Sequence, residues 1–295
     1  MNTKPQCDPD AHAIRIADAI ANRWYTVHGA GHVEVPLGVS ATLSLLREHD
    51  PEGPGLTTQI RRLDADGFAA FCRSVWRTII RVRPDLTHLV FPIIEWLHTD
   101  PAPELLTHAK HVADAALDAG HIEFTATGQS DAADLLGAVL TVLRADRATR
   151  AREQFYTPLA LADTMAALLG VPHEGESVYN PALGTGGLFR ATAQAMRQRG
   201  RDPSTVTWVG CDIDALAIAC AAVNTLVWGL GPRVLLAVGD SLAGDVLEHA
   251  RRQREELIHI ADTISLVTHL RAAINTAQYL LACGEAGTHA DARPS

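Results

Sequence analysis

The 295-residue sequence is short of cysteine, methionine and aromatic side chains and has no excess of positive charge. Its five cysteines, Cys7, Cys72, Cys211, Cys220 and Cys283, stand apart without a Cys-x-x-Cys pair, which excludes a disulfide framework and a zinc knuckle. A reducing, cytoplasmic setting is the expectation. The longest apolar runs, such as Leu89 to Ile94, are broken by Pro92 and Glu95. They fall short of the roughly 18 to 20 residues that cross a bilayer, so no membrane partner is expected. The opening MNTKPQCDPDAHAIR lacks the charged-then-apolar pattern of an export signal. A formal charge of −9 and a pI near 5.8 give a field that repels phosphate at long range, so any nucleic-acid contact has to be local. Repeats and low-complexity segments are absent too. What is left is a globular composition, 47% hydrophobic and 20% charged, with ample apolar residues for a core.

Residues 1–150 carry apolar positions at three- and four-residue spacing between Gly/Pro/Asp clusters, which predicts an α-helical domain. Its clearest helices are expected at 14–27, 39–49, 67–82, 86–97, 104–119 and 131–150. The pattern then changes. Thr157 can cap a helix that has Pro158 at its first position and Gly170 at its end. Short β-type runs at 177–180, 206–211 and 234–238 alternate with helical stretches at 188–199 and 215–228, the order of a parallel, doubly wound sheet. Leu257, Ile260, Ile264, Val267, Leu270, Ile274, Ala277 and Leu281 recur at helical spacing, so 245–295 is expected to be a C-terminal helix and a frayed tail.

The segment that carries chemistry is Asn180-Pro-Ala-Leu-Gly-Thr-Gly-Gly187, set between a strand and a helix. A glycine-rich turn in that position brings backbone close to a ligand and aims helix amides at it. It lacks the Gly-Lys-Ser/Thr ending of a P-loop, and Phe189 stands where a dinucleotide fingerprint needs Gly or Ala. The segment instead resembles motif I of class I S-adenosylmethionine-dependent methyltransferases, in the form found in DNA adenine methylases. Gln154-Phe-Tyr-Thr-Pro158 precedes it, Gly210-Cys-Asp-Ile-Asp214 follows the second strand and Gly239-Asp-Ser-Leu242 the third. In order and spacing these segments resemble the N-6 adenine DNA methylase family, the modification subunits of type I restriction-modification systems. The likeness starts near Asp131, with Asp134-Leu-Leu-Gly137 similar to the family's approach helix, and ends at Leu242.

The resemblance implies an α/β fold: a shortened Rossmann-like methyltransferase domain over 151–244, preceded by the helical domain. It implies S-adenosylmethionine as cofactor. Gln154, Phe155, Tyr156, Thr157 and Pro158 would flank its methionine end. Asn180, Pro181, Gly184, Thr185, Gly186 and Gly187 would form the turn beside it, Asp212 would accept hydrogen bonds from the ribose, and Asp240 and Ser241 would lie near the adenine. DNA and a specificity-type or complementary methyltransferase subunit are the implied partners.

Family members place an Asn-Pro-Pro-Phe/Tyr motif after a fourth strand to hold the flipped base. Here no proline occurs between Pro232 and Pro294, and the only asparagine after Asn224 is Asn275. No catalytic residue is therefore assigned. Glu153 stands where the family generally has Gly, and Asn180 where Asp is commoner. The open fourth-strand position is expected to be covered by the C-terminal helix. The sequence leaves three readings open: an adenine methyltransferase, a non-catalytic module that binds cofactor or a partner, and one half of a split enzyme. Arg144, Arg147, Arg150 and Arg152 could touch phosphates but read better as a solvated helix face, as do Arg251, Arg252 and Arg254. The pairs His28/His32 and His108/His111 lack a convincing further ligand, so no metal is expected.

Overall fold

The structure, a computed structural model, describes residues 8–47, 55–148 and 159–288. Every regular element before residue 149 is helical: α1 (Pro9–Val27), α2 (Glu34–Ser44), α3 (Leu56–Arg61), α4 (Ala65–Val82), α5 (Thr87–Ile94), α6 (Pro103–Asp118), α7 (His121–Ala126) and α8 (Leu135–Ala148). α1 begins where the Asp8 carboxylate accepts the Asp10 amide at 3.2 Å, with Pro9 in the first turn. Its inner stripe of Ala13, Ile16, Ala17, Ile20, Ala21 and Trp24 is buried. α4 buries Phe68, Cys72 and Trp76 at four-residue spacing. The short α3 and α7 have too few turns to print a period on the sequence, and their positions were not anticipated.

The remainder follows as α9 (Leu159–Leu169), β1 (Ser177–Asn180), α10 (Gly187–Gln198), β2 (Thr207–Asp212), α11 (Ala215–Val227), β3 (Val234–Val238) and α12 (Val246–Thr288). The strands form one parallel three-stranded sheet in the order β1-β2-β3. Ser177 pairs with Thr207, and Trp208 with Val234. Parallel neighbours need long crossovers, which α10 and α11 supply. α11 is buried on almost every side, as its continuous apolar sequence requires, because α5 packs on it as well as the sheet. One hydrophobic cluster runs from Ala13 through α11 and Trp208 to Leu236.

The C-terminal helix differs from expectation in its place and its extent. It continues to Thr288 instead of giving way to a frayed tail at Gly284. It does not cover the β1 edge. Its first turns lie on β3, at the opposite edge, where Val246, Leu247 and Ala250 cover Cys211 and Ala237. Beyond them Ile260, Ile264, Leu266, Val267, Leu270 and Ile274 are between 44% and 70% exposed. Helical spacing of the apolar positions predicts the helix but carries no information about its partner. The segment Val246–Thr276 is also long and apolar enough to cross a membrane by length and composition alone. That corrects the expectation that no stretch reaches such a length: the apolar residues here are spaced by polar ones, including Asp262 and Arg271, and form no uninterrupted run.

Candidate functional site

β1 and β2 end side by side, and the turn after β1 folds back over that edge. Asn180, buried at the end of β1, accepts the Ala182 amide on its side-chain oxygen at 3.1 Å, and this starts the turn at Pro181, which is exposed. The Leu183 amide donates to the Cys211 carbonyl at 2.9 Å, and the Gly186 amide to the Leu183 carbonyl at 3.1 Å. Gly184 and Gly186 lie at φ 56° and 97°, backbone that favours glycine. Gly186 is also pressed against Trp228, which a side chain there would meet at 3.1 Å. Gly187, the first residue of α10, faces open space. The first amides of α10 have no acceptor within the helix and converge on that space.

Asp212, at the end of β2, is half-buried beside the turn. Its carboxylate accepts the Gly184 amide at 2.7 Å and the Asp214 amide at 3.0 Å. A carboxylate has about four acceptor positions, so two remain for a ligand. The Gly239 amide donates to the Asp212 carbonyl at 2.9 Å, which brings the turn after β3 to the same edge. There Asp240 is exposed and caps its own turn by accepting the Leu242 amide at 2.9 Å, with Ser241 between them. Cys211 reports the convergence: burial first, then the charges of Asp212 and Asp240, push its thiol above the ordinary value.

The structure therefore brings together Asn180, Pro181, Gly184, Thr185, Gly186, Gly187, Asp212, Asp240 and Ser241. Gln154, Phe155, Tyr156, Thr157 and Pro158 lie outside the described residues. Of three supporting groups, Asn224 and Trp228 are given no such role by the sequence motifs, and the third, Asp134, is read there only as part of an approach helix. Asp134 accepts the Thr185 hydroxyl at 2.5 Å, and Asn224 donates to the Thr185 carbonyl at 2.9 Å. Trp228 sits under Gly186 and donates from its indole to the Ser130 carbonyl at 3.1 Å. An asparagine inside the largely apolar α11 is the available signal, since a buried amide must find partners.

Arg144 is not a freely solvated residue: it closes on Asp214, the residue that caps α11. Arg150 and Arg152 lie outside the described residues. Arg251 and Arg252 pair with Glu248, in keeping with a solvated face, whereas Arg254 reaches the Pro232 carbonyl at 3.0 Å. His28 and His108 bring their Nδ1 atoms to 3.2 Å, and His32 bonds Glu34 at 2.8 Å. Among the described residues no group of three or more His, Cys, Asp or Glu side chains could hold a metal ion.

Residues 131–260 match the model of the family described as N-6 DNA Methylase. Over that segment, less than half of its length, the chain is similar to the N-6 DNA methylase family. The methylase subunit of the type I restriction enzyme MjaIX of Methanocaldococcus jannaschii is 30% identical over 76 residues, which is 26% of this chain. The match spans 13% of that relative's length. The crystal structure of a type I restriction-modification methyltransferase subunit from Streptococcus thermophilus aligns with a TM-score of 0.42 at 17% identity, over 79% of this chain and 60% of that one. The described residues of this segment are helix-rich and hold one small parallel sheet of three strands.

Proposed function

We propose that this chain binds S-adenosylmethionine at the C-terminal edge of its sheet, as the donor-binding part of a cytoplasmic DNA adenine N-6 methyltransferase that does not transfer the methyl group unaided. The observation that carries the reading is the convergence, at one edge, of the Asp212 carboxylate, the turn 184–187 and the free space at Gly187. These residues fit the cofactor: spare acceptor positions on Asp212 suit ribose hydroxyls, and glycine at 187 leaves room that a side chain would fill. When bound, S-adenosylmethionine supplies an activated methyl group on a sulfonium, so the protein's contribution is to orient the donor and exclude water. By the family resemblance, Asp240 and Ser241 would serve the adenine, and Gln154 to Pro158 the methionine end.

The acceptor side is a different matter. A target base needs stacking and contacts to its edge, and the Asn-Pro-Pro-Phe/Tyr motif that gives them in the family has no counterpart after Asp240. A second observation favours a complementary subunit as the supplier. The outer edge of β1 has no partner strand among the described residues, and Tyr179 on it is 49% exposed. Parallel sheets are normally covered on both faces and at such edges. A specificity-type subunit and DNA complete the proposed assembly.

Calorimetric titration with S-adenosylmethionine tests the donor site. Gly187→Val should abolish binding while leaving the melting temperature unchanged, because the new side chain enters only the ligand space. Gly186→Val is the poorer probe, since it strains positive-φ backbone and displaces Trp228. Equal affinity for the parent and Gly187→Val would end the proposal. Radiolabelled methyl transfer to unmethylated DNA should stay at background with the pure chain, and robust incorporation would show that the acceptor side is complete.

A further inference from the structure

The turn 184–187 has two left-handed glycines, so its own residues do little to fix its shape. On the sheet side the Gly184 amide donates to Asp212, and the preceding Leu183 amide to the Cys211 carbonyl. Behind it stands a buried carboxylate that belongs to neither the turn nor the sheet. Asp134 caps α8 in the usual manner: its carbonyl receives the Ala138 amide at 3.0 Å, and Oδ1 accepts the Gly137 amide at 2.8 Å. Capping needs only that one oxygen. Oδ2 points the other way and accepts the Thr185 hydroxyl at 2.5 Å, 51 residues along the chain. Asn224 on α11 ties the two together, donating to Asp134 Oδ1 at 2.8 Å and to the Thr185 carbonyl at 2.9 Å. Both Asp134 and Thr185 are under 10% exposed. The fit leaves no slack: a methyl group at Gly137 would collide with the Asp134 carboxylate and the Thr185 hydroxyl.

We infer that Asp134 is a positioning residue for the cofactor turn: its second carboxylate oxygen fixes Thr185, so the shape of residues 184–187, and with it affinity for S-adenosylmethionine, depends on how α8 is seated. This rests on the reading given under Proposed function. A carboxylate is the suitable group, because only it can accept from a helix amide, a side-chain amide and a hydroxyl at once without competing donors of its own. Charge-assisted acceptors also hold shorter and stronger bonds than neutral ones. Without the brace, ligand binding would have to order the turn, and that entropy is subtracted from affinity. The consequence is a link between the helical layer and the site: displacement of α8 weakens cofactor binding through Asp134 and Thr185.

The substitution Asp134→Ser separates the two duties of the residue. Serine caps helices as well as aspartate does, but it has no second arm to reach Thr185. The expected result is S-adenosylmethionine binding weakened about tenfold, with a lowered melting temperature because the buried Thr185 hydroxyl and Asn224 amide lose an acceptor. Thr185→Val should weaken it similarly, and the double variant should be no worse than Asp134→Ser alone, since the hydroxyl of Thr185 then has no carboxylate left to lose. Asp134→Asn, which keeps one acceptor and offers its amide to the Thr185 oxygen, should recover part of the loss. Amide hydrogen exchange of residues 184–187 without ligand should be faster in Asp134→Ser than in the parent. If the parent does not bind S-adenosylmethionine, the functional reading fails, and exchange still decides the brace. Normal affinity and normal exchange in Asp134→Ser would overturn the inference. So would a lowered melting temperature with unchanged affinity in both single variants, which would make the contact structural alone.

Discussion

Arg144 on α8 holds Asp214, the cap of α11, through both terminal guanidinium nitrogens. The pair spans 70 residues and joins the helical layer to the crossover between β2 and β3. Burial opposes ionisation of Asp214, but the Arg144 hydrogen bonds and charge outweigh it and hold the carboxyl below its ordinary value of 3.8. A lowered aspartate contributes stability that is present above 3.8 and is lost as pH falls through the folded value. Arg144→Met should therefore cost about 1 to 3 kcal/mol at pH 7, less than a fully buried pair because both partners keep some exposure. In urea titrations the cost should shrink as the pH is taken below 3.8. An equal cost at pH 7 and pH 3 would separate the effect from the ion pair.

Asp212 carries two duties that substitutions can part. Asp212→Ala removes the ribose acceptor and also frees the Gly184 amide, so S-adenosylmethionine affinity should fall roughly ten- to a hundredfold, the equivalent of one charge-assisted hydrogen bond. Asp212→Asn keeps one oxygen for Gly184 and should fall less. Identical losses measured calorimetrically for the two variants would show that the charge, and not the turn contact, sets affinity.

His121 on α7 is fully buried, 3.0 Å from the Ser44 hydroxyl, and burial, then the nearby His12, lowers its pKa to about 3. The unfolded imidazole titrates near 6.5, so its neutral native form contributes stability that is complete above 6.5 and declines as pH falls toward 3. The expected decline is about 1 kcal/mol per pH unit in that window. His121→Gln keeps a hydrogen-bonding group without a titration and should flatten the acid limb of the stability curve. An unchanged slope would place the acid sensitivity elsewhere.

α12 should be divisible. Ending the chain after Glu256 keeps Val246, Leu247 and Ala250 on β3 and should leave the melting temperature nearly unaltered. Ending it after Gly244 uncovers Cys211 and Ala237 and should cost about 2 to 4 kcal/mol, or roughly 5 to 10 °C. Similar melting temperatures for the two truncations would mean that the first turns of α12 contribute little.

Local chemistry was legible in the sequence and long-range contact was not. The β-type runs at 177–180 and 234–238 coincide with β1 and β3 because turn residues bound them on both sides. The turn at 180–187 declared itself through glycine spacing. Asp134 was visible as part of an approach helix, yet nothing near it in the sequence names Thr185. Arg144 looked like one member of a solvated row because periodicity describes a face and not what lies against it. The missed packing of α12 has the same origin.

The hydrophobic cluster that starts at Ala13 reaches Leu236 without a seam, and α11 is its shared middle. The helices before residue 149 are thus a foundation for the sheet. A gene fragment that encoded only the α/β segment would expose the flank of α11 that now meets α5, and one that encoded only the helices would leave the same flank's imprint open. Severed at the point where the sequence pattern changes, each piece would inherit half of one interior.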